Sequence, residues 1–123
     1  MRMHALAGLL ALLVLGVAAP ALAAGSDVPT MLNQQGCTGC HADKTRGVGP
    51  AWGWIAYRYR SGSKQKALDD VADFIISGGV SYWKPWTGGI PMPAHSNLSK
   101  QQAEAIASWI LSQPSIAPPK PGA

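Results

Sequence analysis

Cys37-Thr38-Gly39-Cys40-His41 sets two thiols three positions apart, with an imidazole directly after the second. That spacing matches Cys-x-x-Cys-His, the attachment pattern of c-type haem. Thiols so spaced can each add to one of the two vinyl groups on a single porphyrin edge. The residue after the second thiol then lies beneath the iron, where a neutral imidazole supplies the proximal ligand. Two other chemistries use the same residue types. A Cys-x-x-Cys pair can act as a dithiol of the thioredoxin type, which needs a strand before it and a helix after it. A zinc site needs four ligands, and Cys37, Cys40, His41 and His95 are the Cys and His that follow the apolar N-terminal run.

Iron held by His41 asks for a sixth ligand from the opposite side. Of the four Met, Met1 and Met3 lie in the apolar leader and Met31 is on the helix that directly precedes the attachment site, which leaves Met92. It stands in Ile90-Pro91-Met92-Pro93, where the flanking prolines restrict the backbone and hold a thioether in place. A thioether ligand stabilises reduced iron and raises the reduction potential. His95, three residues on, is the rival for that position.

Four helical patterns must position these groups. The first covers about Asp27 to Gln35, with Ser26 or Asp27 as N-cap, Pro29 in the first turn and Gly36 as the stop. The second begins at Gly49-Pro50 and puts Trp52, Ile55, Ala56 and Tyr59 on one stripe, with Trp54 and Tyr57 off it, either as packing at the edge of a haem or as exposed partner contacts. The third, about Lys64 to Ser77, aligns Leu68, Val71, Ala72 and Ile75 and ends at Gly78-Gly79. In the fourth, Ser99-Lys100-Gln101-Gln102 fits a capping box ahead of the apolar face Ala103, Ile106, Ala107, Ile110 and Leu111. From Gly78 to Leu98 runs a loop of about 20 residues, a length that is uncommon in a small domain unless the loop has a job. No strand alternation is convincing. Residues 114–123 read as a Pro-rich, extended and mobile tail.

Residues 1–23 read as a cleaved signal peptide: a basic start at Arg2, an apolar run from Ala5 to Ala19, a break at Pro20 and the small-x-small site Ala21-Leu22-Ala23. About 100 residues remain, one domain at 24–113 plus the tail, with no membrane span in the mature form. So small a core gains from a cofactor. The sequence carries a net charge of +4, which falls to +3 when Arg2 leaves with the leader. The densest basic cluster is Arg58, Arg60, Lys64 and Lys66. That patch is too thin for nucleic acid in an exported protein but suits an acidic docking surface on a partner protein.

The ordered set of motifs resembles a class I c-type cytochrome, in particular the small bacterial periplasmic monohaem carriers, over about residues 27–113. Besides the attachment site, the resemblance rests on Gly47-Val48-Gly49-Pro50, Ile90-Pro91-Met92-Pro93 and Ala107-Ser108-Trp109-Ile110-Leu111-Ser112-Gln113. It implies an all-α cytochrome c fold of four to five helices around one covalent haem c. Cys37 and Cys40 would form the thioethers, and His41 and Met92 would be the axial ligands. The Pro50 carbonyl would accept a hydrogen bond from the proximal imidazole. One tryptophan would reach a haem propionate, Trp86 being favoured over Trp83 as nearer Met92. The arginine that helps the propionates from the third helix in the family is not evident, Asp73 falling near its place. The last helix would cross the first near Gly36 as the main helix contact.

The implied function is a periplasmic, monomeric one-electron carrier of a respiratory or oxidative chain, not an enzyme, that docks weakly with donor and acceptor proteins through the haem edge near Cys37 and Cys40. Two other readings stay open. One is a haem subunit of a larger oxidoreductase, resembling that of sulfite dehydrogenase. The other is a haem ligand sensor, which requires Met92 to be off the iron or easily displaced.

Overall fold

A computed structural model describes residues 27–123; the expected signal peptide at 1–23 and the alternative N-cap Ser26 lie outside the described residues. Helix α1 spans Val28–Gln34. Asp27 caps it by accepting from the Thr30 amide at 3.2 Å, and Pro29 sits in the first turn, where its missing N–H is no loss. Gly36 then takes φ 71°, a conformation that side chains resist, and turns the chain into the short 3₁₀ turn Cys37–Gly39.

Helix α2 spans Trp52–Arg58 and α3 spans Lys64–Ser77, the latter capped by Ser63. Inside the long loop lies a four-residue helix, α4, Lys84–Thr87, too short to display an apolar period in sequence. Helix α5, Lys100–Leu111, opens with the expected capping box. The Ser99 hydroxyl accepts from the Gln102 amide at 3.1 Å, and the Gln102 side-chain oxygen accepts from the Ser99 amide at 2.9 Å. The described residues are helical, with only two isolated bridges, His41–Arg46 and Gly79–Met92.

The core lies where α5 packs against α3, with α2 and α1 leaning on α5. The most extensive helix contact is therefore α3–α5, not the α1–α5 crossing that the resemblance implied. The reason is length: α1 has seven residues, whereas α3 has fourteen and α5 twelve. Ala103 and Ala107 are fully buried, and Ile106 between them is 1% exposed. Ile106→Ala will therefore lower the unfolding free energy by about 2–5 kcal/mol, read as an earlier denaturant midpoint with an unchanged slope.

Two expectations for the surface change. Trp54 is not a partner contact: it is 4% exposed and packs on Trp83, ring centroids 6.5 Å apart. Tyr57 is half-buried beneath the Arg60 guanidinium. Helix α2 is enclosed on more than its apolar stripe, because the chain beyond α5 returns to it. The Ile116 amide donates to the Gly53 carbonyl at 2.9 Å, and the Ile116 side chain packs against the core. Residues 114–119 are extended and docked rather than free, and the chain closes on an exposed turn at 120–123. Among the described residues no helix is long and apolar enough to cross a membrane.

Candidate functional site

The 3₁₀ turn places Cys37, Cys40 and His41 at one end of α1, the His41 amide donating to the Cys37 carbonyl at 3.0 Å. The chain then loops back, with the Gly49 amide on the Cys40 carbonyl and the Trp52 amide on the Ala42 carbonyl. This return brings the Pro50 carbonyl to 2.7 Å from His41 Nδ1. A carbonyl only accepts, so Nδ1 carries the proton and Nε2 keeps its lone pair. Trp52 stacks on the imidazole at 4.5 Å, and Trp109 of α5 meets Trp52 edge-on at 5.8 Å.

Burial pushes the His41 pKa below its ordinary value; the Pro50 hydrogen bond opposes that, and His95 adds a smaller push in the same direction as burial. The ring is thus held neutral and oriented, as a metal ligand must be. Gly49 lies so close to the ring that an added Cβ would strike it. Gly49→Ala will cost about 1–3 kcal/mol of overpacking and lower the melting temperature of the haem-loaded protein by roughly 4 °C or more. An unchanged melting curve would show that the ring has room to move.

Met92 arrives from the other side of the chain. Its amide and carbonyl both bond to Gly79, each at 2.9 Å, which closes the 79–92 loop at its neck. Gly78, at φ 62°, lies against the Met92 carbonyl and the Ala94 amide, and a Cβ there would come within 2.6 Å of both. The backbone on both sides of Met92 is therefore closely confined.

Cys40, His41, Pro50 and Met92 all line one cavity of about 260 Å³, whose walls include Ile55, Val71, Phe74 and Ile110. Cys37 is buried on the same turn without lining that cavity, and burial pushes its thiol pKa up. Neither cysteine is in a disulfide. The donor set fits a haem c: two free thiols on one turn, a neutral imidazole with Nε2 unclaimed, a thioether, and largely apolar walls. Among the described residues no three His, Cys, Asp or Glu side chains gather as a metal group, and no strand precedes the Cys pair. The zinc and thioredoxin-type arrangements are therefore not formed there.

Other candidates separate from the cavity. The His95 ring contacts the Gln35 side-chain oxygen at 3.3 Å and its amide donates to the Ile75 carbonyl; it does not line the cavity. Trp86 does not line it either. The Trp86 indole N–H donates to the Pro119 carbonyl at 2.7 Å, while Trp83, buried at 8% exposure, is the tryptophan of this loop that faces the cavity. Nearness to Met92 in sequence misdirects here because α4 turns Trp86 to the far side. Arg58 is a residue that sequence reasoning placed only in a surface cluster. It lines the cavity with its guanidinium 3.5 Å from the Tyr82 ring centroid, whereas Asp73 is exposed.

A family model described as Cytochrome c matches residues 26–114. Cytochrome c2 of Rhodocyclus tenuis is 34% identical over 90 residues, covering 71% of this chain and 92% of the relative. Cytochrome c-551 of Pseudomonas aeruginosa is 33% identical over 105 residues, covering 85% and 94%. The crystal structure of wild-type cytochrome c552 from Nitrosomonas europaea superposes with a TM-score of 0.59 at 34% identity, over 68% of this chain and 96% of that one.

Proposed function

The chain belongs to the cytochrome c family, small electron-carrying proteins with one covalent haem c, and from that membership we propose a periplasmic one-electron shuttle with His41 and Met92 as axial ligands. The observation that carries the ligation is that both side chains line one cavity while the Pro50 carbonyl engages His41 Nδ1 and leaves Nε2 to bind. Cys37 and Cys40 hold the group as thioethers. When bound, haem supplies a one-electron change at iron.

The remaining work is done by the chain. The Nδ1–H bond to Pro50 fixes the imidazole plane and raises its basicity as a ligand. Apolar walls from α2, α3 and α5 exclude water, which limits the solvent reorganisation accompanying each electron transfer. Filling both axial positions leaves no open site for a substrate, so a carrier role follows rather than catalysis.

The rim suits brief docking. Among the described residues the exposed large hydrophobics are Val48, Val80, Tyr82 and Ile90, and three of them, Val48, Tyr82 and Ile90, line the cavity. With Arg58 beside them, they form a small apolar surface with a basic edge, appropriate to a weak redox encounter steered by acidic groups on a partner. The apolar leader at 1–23 supports export, and a monomer suffices for this role. A permanent interface in a larger oxidoreductase would draw on the long loop and on exposed aromatics, and the burial of Trp54 removes one of those aromatics.

The test is an absorption spectrum of protein matured in a host competent for haem c attachment. Haem that survives denaturing extraction and a sulfur-to-iron charge-transfer band in the oxidised state are the expected results. Covalent haem without that band would overturn Met92 ligation. Electron-transfer rates with candidate acidic partners should fall as salt rises; salt-independent rates with all of them would remove electrostatic steering.

A further inference from the structure

Met92 sits at the neck of the 79–92 loop, and the loop's far side is α4. Beside the packing of Trp83 and Trp86 on the core, two hydrogen bonds from outside the loop hold α4 down, and both act on Trp86. The Arg46 guanidinium, from the chain just after the attachment site, donates to the Trp86 carbonyl at 2.6 Å. The Pro119 carbonyl, beyond α5, accepts from the Trp86 indole N–H at 2.7 Å. Residues 114–119 are themselves moored to α2, through the Ile116 amide on the Gly53 carbonyl and the Ile116 side chain on the core. Ile116 and Pro119 themselves lie past the segment that matches the family model, which ends at residue 114.

A short helix with no buried residues of its own, next to two positive-φ glycines, Gly88 and Gly89, has little intrinsic hold. Buried Trp83, packed on Trp54, anchors its start, and the position of its far end depends on what grips Trp86. We propose that residues 114–119 are a strap that keeps the 79–92 loop closed through Trp86 and so positions Met92 as an iron ligand. The inference rests on Met92 ligation as stated above. Ile116 and Pro119 are positioning residues, since neither lines the cavity. The strap sets how often the loop opens, and hence how readily an outside ligand takes the position of Met92. Apparent affinity for such a ligand is its intrinsic affinity scaled by the open fraction.

Gly53 offers a selective way to lift the strap. A Cβ at Gly53 would come within 2.8 Å of the Pro114 carbonyl and 2.9 Å of the Ile116 side chain, so the strap must move. The same change favours helix in α2. The probe is imidazole, titrated into the oxidised, haem-loaded full chain and into its Gly53→Ala and Trp86→Phe variants. Trp86→Phe keeps an aromatic ring beside Tyr82 and Trp83 and loses the indole donor together with the second ring of the indole. Losing one hydrogen bond should raise imidazole affinity roughly threefold or more in Trp86→Phe, with a larger rise in Gly53→Ala. In both variants the sulfur-to-iron band should fade at a temperature below that of global unfolding.

Unchanged imidazole affinity in Trp86→Phe overturns the strap. Should Gly53→Ala fail to accumulate, Trp86→Phe decides alone. If the unsubstituted protein itself lacks the sulfur-to-iron band, Met92 ligation fails first and the strap's stated role falls with it. A band that is present while Trp86→Phe leaves affinity unaltered overturns the strap and spares the ligand.

Discussion

Replacing both Cys37 and Cys40 with Ala, in a host that attaches haem to exported cysteines, will yield a chain with no covalent haem that is largely unfolded at 25 °C. The cavity explains the size of the effect. Without the group, a cleft of about 260 Å³ leaves the apolar walls from α2, α3 and α5 facing water instead of packed, a loss of about 25 cal/mol for each Å² so exposed. The whole stability of a domain is about 5–15 kcal/mol, and one this small stands near the lower end. Holding those walls apart with nothing between them therefore draws on a small margin, and collapse would have to dismantle the α2, α3 and α5 packing that frames the cleft. A haem-stained denaturing gel should be blank, and the far-ultraviolet helical signal should fall by more than half. Native-like circular dichroism without haem would show that the helices close on themselves and that the cofactor is not their core.

Met92→Ala should act quite differently. The haem stays attached, because Cys37, Cys40 and His41 are untouched. The loop stays closed, because the strap on Trp86 is untouched and the two bonds to Gly79 are made by the Met92 backbone and survive loss of the side chain. What disappears is the thioether. The sulfur-to-iron band should vanish, carbon monoxide should bind the reduced protein, and the reduction potential should fall by a sizeable part of the roughly 0.8 V that axial ligands command. An unchanged spectrum and potential would transfer the ligand role to His95 or another group. That outcome would require His95 to leave Gln35 and turn towards the cavity.

These two experiments separate attachment from tuning. The first removes the anchor and with it the fold; the second leaves the fold and alters what the iron favours. Gly49→Ala lies between them, since it strains the ring of His41 without removing a donor.

By itself the sequence determined what depends on short spacing. Cys37, Cys40 and His41 are read from one pentapeptide because their chemistry is set by consecutive positions. The capping box at Ser99, the Gly36 stop and the α3 boundaries, Lys64–Ser77, are read because caps and stops satisfy amides within a turn of where they stand. Met92 was reached by elimination among four methionines. The Pro50 partner of His41 came from resemblance, and its place nine residues on is bridged by a loop whose path no local rule specifies.

Tertiary structure alone decided the rest. Trp83 faces the cavity and Trp86 faces away, because α4 splits two neighbouring tryptophans between opposite surroundings. Trp54 is buried because the chain beyond α5 and Trp83 of the long loop close over α2, a covering that a helical stripe cannot forecast. The Pro-rich tail has the composition of a free chain, yet it docks because Gly53 leaves room for it and Trp86 offers a donor. Periodicity and spacing encode bonds made within a few residues. Which surface covers which depends on partners tens of residues apart, and only the packed chain brings those together.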